Sequence, residues 1–252
     1  MVFCLSENNR KRTGQSKRNS SRTAPVAGAG QADCRQQEVR APLSGGHGDV
    51  HIKGRTEATI SLMVSHSLVI GYHGCDMRVA RKIISLKDRL KPSQNAWDWL
   101  GHGIYFWEDS QVRGQRWALE ESQQDGSQIK NPAVVGAIIN LGRCLNLADA
   151  EALKQIRVAH GGYQRICAET GAPCAQNRGL ELRARYLDGA VMETLHQLRQ
   201  EEGQPPFDTV RGFFMEGREL YAGAGFRELD HIQICVRSPK QIIGCFWPRD
   251  ST

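Results

Sequence analysis

Leu68-Val69-Ile70-Gly71-Tyr72-His73-Gly74 is the stretch from which the fold class follows. An apolar run ends on two ring side chains and a glycine, the pattern of a buried strand closed by a turn residue. Asp76 stands where it caps a helix over Met77–Leu86, with Val79, Ala80, Ile83 and Ile84 at helical spacing. Further along, Gly101-His102-Gly103-Ile104-Tyr105-Phe106 again sets glycines beside polar-tipped rings and enters a short strand through Trp107. Glycine lets a backbone approach a flat ligand closely. A histidine on one strand and a tyrosine on its neighbour predict one pocket built from both. The competing reading is a pair of hydrogen-bonded core residues.

Outward from these two segments, Leu90–Gly101 reads as a structured loop, and Asp109 or Ser110 caps a helix running through Trp117 and Leu119 to Glu121. Ala133–Leu141 is an apolar run of core-strand type. Two helices are expected over Asp149–Glu169 and Leu182–Arg199, then strands over Thr209–Met215, His231–Val236 and Gln241–Phe246. Helices followed by a strand-rich end predict an α+β fold, not βαβ alternation.

The chain of 252 residues suits one domain and a tail. Residues 1–62 are rich in Ser, Arg, Gly and Gln and poor in large apolar side chains, so they bury too little to offset their ordering entropy. They are expected to be a disordered basic tail, or an upstream extension if Met63 is the start of translation. Residues 1–65 carry ten of the 33 Lys/Arg against five of the 27 Asp/Glu, which leaves the expected domain, 66–250, nearly neutral. That balance disfavours electrostatic gripping of duplex DNA. The eight cysteines form no C-x-x-C pair, and no secretory-type apolar run precedes them. Reduced thiols in a cytoplasmic protein, with no metal site and no membrane span, are the expectation.

The pocket chemistry favours a nicotinamide riboside. Histidine nitrogens bond ribose hydroxyls, a tyrosine face stacks on an aromatic ring, and the backbone of Gly74 is reachable by a planar amide. Tyr72-His73-Gly74 and Gly101-x-Gly103-Ile104-Tyr105-Phe106 resemble the histidine and tyrosine motifs of the ADP-ribosyltransferase superfamily, in the branch of diphtheria toxin and the poly-ADP-ribose polymerases. The resemblance implies a split antiparallel β-sheet sandwich with flanking helices and NAD as co-substrate. It implies that His73 bonds an NAD ribose, Gly74 holds the carboxamide, and Tyr105 stacks on nicotinamide. Trp117 becomes the candidate for the ring's second face, or else a core residue of an amphipathic helix.

A third family residue, usually Glu, opens a late strand. Gln233-Ile234-Cys235-Val236, followed by Arg237-Ser238-Pro239-Lys240-Gln241-Ile242, aligns Gln233 with that position. A carboxylate there would stabilise the positive charge that develops on the sugar, whereas an amide only bonds a hydroxyl. The resemblance therefore implies transfer of a single ADP-ribose to an intracellular macromolecule, protein or nucleic acid, by a bacterial-type toxin or phage-defence enzyme; a toxin would bring an antitoxin partner. An NAD glycohydrolase, an RNA 2′-phosphotransferase, or a weakly catalytic module binding NAD or ADP-ribose are the alternatives. Glu216, Glu219 and Glu228 are candidates for the missing charge, and Arg211 and Arg227 for the NAD diphosphate. Asn95, Asp98 and Trp99 are candidates for an adenosine wall. His231-Ile232-Gln233 lacks the E-x-E of arginine-specific transferases.

Overall fold

The computed structural model describes residues 67–179 and 182–249; the expectation for residues 1–62 lies outside them. Strand β1 (Leu68–Asp76) leads into helix α1 (Met77–Ile84), then β2 (Ile104–Glu108), α2 (Gln111–Ser122), β3 (Pro132–Asn140) and β4 (Cys144–Asn146). Helices α3 (Ala150–Thr170) and α4 (Tyr186–Glu201) follow, then β5 (Thr209–Phe214), β6 (His231–Val236) and β7 (Ile242–Phe246). The fold is α+β. The strands form one seven-stranded sheet in the order β4-β5-β6-β2-β1-β3-β7, antiparallel except for the β4–β5 pair.

That sheet has a weak seam. β1 pairs with β3 over nine residues, from Leu68↔Asn140 to Asp76↔Pro132. With β2 it pairs only at Gly71↔Glu108 and Tyr72↔Trp107, and the ladder stops short of His73. Alternation along the strands sorts the side chains. Tyr72, Trp107, Gln233, Tyr105 and Cys235 share the face covered by α2, α3 and α4, as their neighbours on these helices show. Phe106, Ile234, Val135 and Val236 share the other face, packed with Ala80 and Ile83 of α1.

Three local features depart from the sequence expectation. β4 is too short to show a period and exists through its parallel pairing with Thr209–Arg211. α4 begins at Tyr186 because Leu182 adopts a left-handed backbone, φ 55°, which a right-handed helix excludes. Its first amides are taken by Oδ1 of Asn177, which accepts from the N–H of Leu187 at 2.9 Å. Cys167 and Cys174 form a disulfide, a correction to the expectation of reduced thiols. Gly171, at φ 69°, ends α3 and turns the chain back until the two Cα atoms are 5.7 Å apart. Cys75, Cys144, Cys235 and Cys245 are free.

Asp76 caps α1 as expected and does more. Its carboxylate accepts from the N–H groups of Arg78 (2.9 Å), Lys130 (2.8 Å) and Asn131 (3.0 Å). It thus ties the start of α1 to the entry of β3. Asp76→Ala leaves three amides without their acceptor, and a loss of about 3 kcal/mol of unfolding free energy is expected in urea denaturation. A loss below about 1 kcal/mol would mean that water replaces the carboxylate.

Candidate functional site at the β1–β2 seam

His73 sits where the β1–β2 ladder ends. Its Nδ1 lies 2.8 Å from the carbonyl oxygen of Tyr105. A carbonyl only accepts, so Nδ1 carries the proton and Nε2 presents a lone pair. Burial lowers the imidazole pKa to about 4 against the raising effect of that hydrogen bond. At neutral pH His73 is therefore an uncharged acceptor, suited to a donor such as a ribose hydroxyl.

The two motifs meet through this bond, but their side chains diverge. Register puts His73 on the α1 side of the sheet and the Tyr105 ring on the side of α3 and α4. The Tyr105 hydroxyl donates to the Gly101 carbonyl at 2.8 Å and accepts from the Leu100 N–H at 3.0 Å. Burial raises its pKa well above 10, so it stays protonated. The phenol is a strut that fixes the turn at Gly101, whose φ of 81° favours glycine.

Gly74 and Trp117 come together as well. A Cβ on Gly74 would stand 2.5 Å from the Gly114 carbonyl and 2.8 Å from the Trp117 ring. Glycine here lets α2 lie directly on β1, and Trp117 is buried over it with its ring centre 5.6 Å from that of Trp107. Of the two sequence readings of Trp117, the core residue is the one its burial matches. Gln233 lies opposite Trp107 in the β2–β6 ladder, and its Oε1 accepts from Trp99 Nε1 at 2.7 Å. The amide is buried and held by an indole.

The remaining candidates separate. Arg211 donates through Nη2 to Glu108 at 2.8 Å, and a second contact joins its Nε to the same carboxylate, so its guanidinium is committed. Asn95 and Asp98 line a cavity of about 240 Å³ together with His102, Tyr186 and Glu193. Trp99 lines a different one of about 300 Å³ against α3 and α4.

Among the three candidate carboxylates, Glu219 and Glu228 are exposed, the latter paired with Arg218. Glu216 is 1% exposed. Its carboxylate is 2.7 Å from Arg113 Nη2, 3.6 Å from Arg183 Nη1 and 3.8 Å from His231 Nδ1. Burial raises the Glu216 pKa and lowers that of Arg113, each partly offset by the other's charge. Loss of water therefore outweighs mutual attraction in this pair. Strand alternation carried a signal for it: Val210, Gly212 and Phe214 face inward, and Glu216 continues that period. Its partner on α2 had none.

No family model matches the chain, and no solved structure gives a significant match. The chain is similar to an uncharacterized protein of the archaeon Methanocaldococcus jannaschii, 26% identical over 207 residues, which cover 73% of this chain and 89% of that protein. No helix among the described residues is long and apolar enough to cross a membrane, and no metal-ligating cluster of His, Cys, Asp and Glu occurs among them.

Proposed function

We propose that this protein is an NAD-dependent mono-ADP-ribosyltransferase whose donor site lies at the β1–β2 seam. The observation that carries the reading is the His73–Tyr105 hydrogen bond across that seam. It sets the imidazole tautomer at the point where the strands part, so Nε2 accepts a ribose hydroxyl of NAD beside the backbone of Gly74. The resemblance of both motifs to the ADP-ribosyltransferase superfamily supplies the donor, and the two-residue β1–β2 pairing within the single seven-stranded sheet is what supports that superfamily's split sheet as the finer fold.

Breaking the nicotinamide–ribose bond releases nicotinamide and leaves an electron-poor sugar carbon, to which the acceptor's nucleophile adds. His73 orients the ribose. Gln233 is a neutral amide already bonded to Trp99, so it supplies no charge to the developing cation and does not activate an incoming ribose hydroxyl. This supports transfer of one ADP-ribose unit over chain elongation. Tyr105 fixes the Gly101 turn, with its hydroxyl fully engaged.

Gln233 also favours a second reading, a module that holds NAD without turning it over. Incubating the protein with adenine-labelled NAD and a cell lysate, then separating protein from nucleic acid, distinguishes them. Label in one macromolecular fraction is the expected result. Free labelled ADP-ribose alone would make the protein a glycohydrolase, and intact NAD would leave the binding module.

A further inference from the structure

Beyond Thr170, the last residue of α3, the chain doubles back along the helix. The Cys167–Cys174 disulfide, at a sequence separation of 7, joins it there. So does the Tyr163 hydroxyl, which accepts from the Ala175 N–H at 2.8 Å. Residues 171–174 are exposed, so the turn itself buries little surface. A neutral hydrogen bond contributes little net stability, because water competes for both groups. The covalent bond is therefore the main tie.

The segment held in this way serves two other parts of the fold. Asn177 Oδ1 accepts from the N–H groups of Leu187 at 2.9 Å and Asp188 at 3.3 Å. It satisfies the start of α4, where Arg185 at the N-cap makes no side-chain bond. Ala175 lines the cavity of about 240 Å³ together with His102, Tyr186 and Glu193. The disulfide thus fixes one wall of that cavity and the cap of α4 against α3.

Its two sulfurs differ in access. Cys174 is exposed, whereas Cys167 is 9% exposed. A thiolate must reach the sulfur it attacks, so Cys174 is the point of entry. The free thiols do not compete. Burial pushes Cys75 up to about 11 and Cys235 up to about 12, and it raises Cys144 and Cys245 as well, so all four stay protonated and unreactive at neutral pH.

We propose that the Cys167–Cys174 bond is a redox latch, a site of thiol–disulfide exchange with a dithiol reductant. A thiolate of the dithiol attacks Cys174 Sγ and forms a mixed disulfide, while Cys167 leaves as a thiolate and takes a proton. The second thiolate of the dithiol then attacks its own sulfur in the mixed disulfide, and Cys174 leaves as a thiol. Two electrons pass to the cysteine pair, and the reductant departs as a cyclic disulfide. Oxidised, the latch holds residues 174–177 against α3, with the cavity wall and the α4 cap in place. Reduced, it leaves the segment on α3 by the Tyr163 bond, and both features loosen. The latch uses neither His73 nor NAD, so it stands apart from the donor reading.

The test follows hydrogen exchange of the oxidised full chain before and after dithiothreitol, without denaturant, with alkylation and peptide mass spectrometry to locate new thiols. Reduction is expected to make Cys167 and Cys174 alkylable while Cys75 and Cys235 stay protected. Amides of residues 172–177, Leu187 and Asp188 should then exchange about tenfold faster or more, with β1 and β3 unchanged, and reoxidation should restore them. The variant Cys167→Ser/Cys174→Ser should exchange at the reduced rate with or without dithiothreitol. A bond that yields to dithiothreitol only in denaturant would be a fixed staple and would overturn the proposal. Two free thiols in protein purified without reductant, or exchange unchanged by reduction, would overturn it as well.

Discussion

Glu216→Ala lowers the unfolding free energy by about 3–5 kcal/mol, the range for stripping one partner from a buried ion pair. The carboxylate is 1% exposed, and its loss leaves the Arg113 guanidinium, 7% exposed, inside the fold with no counter-charge at hydrogen-bond distance. Arg183, farther from Glu216 at 3.6 Å, adds repulsion once the carboxylate is gone. For a domain of this size the effect corresponds to a fall in Tm of about 10 °C. Because burial pulls both members of the pair toward their neutral forms, the pair adds little net stability. The double variant Glu216→Ala/Arg113→Met should therefore recover most of the loss. Urea denaturation of the wild type, both single variants and the double variant measures this cycle. Strictly additive losses would mean that the two residues act on the fold separately.

Acidification from pH 7 to pH 5 lowers the unfolding free energy by about 5 kcal/mol, just under 2 kcal/mol for each of three neutral histidines, because the slope of about 1.4 kcal/mol per pH unit per group sets in only below pH 6.5. His73 and His231 have pKa values lowered to about 4, and His196 to about 3, each chiefly by burial. An unfolded histidine titrates near 6.5, so below that value the unfolded chain binds protons the native chain refuses. Their contribution is thus complete above pH 6.5 and drains away as pH falls toward the native values. Glu216 opposes the trend: its raised pKa makes the native state the better proton acceptor as its carboxylate titrates. Denaturation curves at the two pH values test the slope, and His196→Leu should flatten it by about a third. Equal stability at both would mean that these imidazoles are as hydrated in the native protein as in the unfolded chain.

Most of the architecture was legible because the strands are periodic and two helices, α1 and α3, are capped by local aspartates, Asp76 and Asp149. β1, β3 and β6 announce themselves by apolar runs, and Asp76 by its place before a helical pattern. What was not legible depends on distant partners. The start of α4 is set by Asn177 and by the left-handed Leu182, neither of which alters local hydrophobic spacing. The Cys167–Cys174 bond depends on the turn at Gly171.

The site was half legible for the same reason. The sequence brings His73 and Tyr105 to adjacent strands, and the structure joins them. Which face each ring takes depends on register, because a one-residue shift exchanges the faces. That is why the Tyr105 phenol is found engaged with Leu100 and Gly101. Glu216 follows the inward period of Val210, Gly212 and Phe214, but its ion-pair partner Arg113 lies 103 residues away along the chain and left no local signal.

The claim that NAD is consumed at the β1–β2 seam is tested most directly by measuring nicotinamide release from NAD by the purified full chain and by His73→Ala. The prediction is measurable release by the wild type, reduced about a hundredfold or more in the variant, an effect of ordinary size for loss of a group that positions substrate. Both proteins should unfold at similar urea concentrations. Absence of release by the wild type, or release unchanged in a folded His73→Ala, would contradict it.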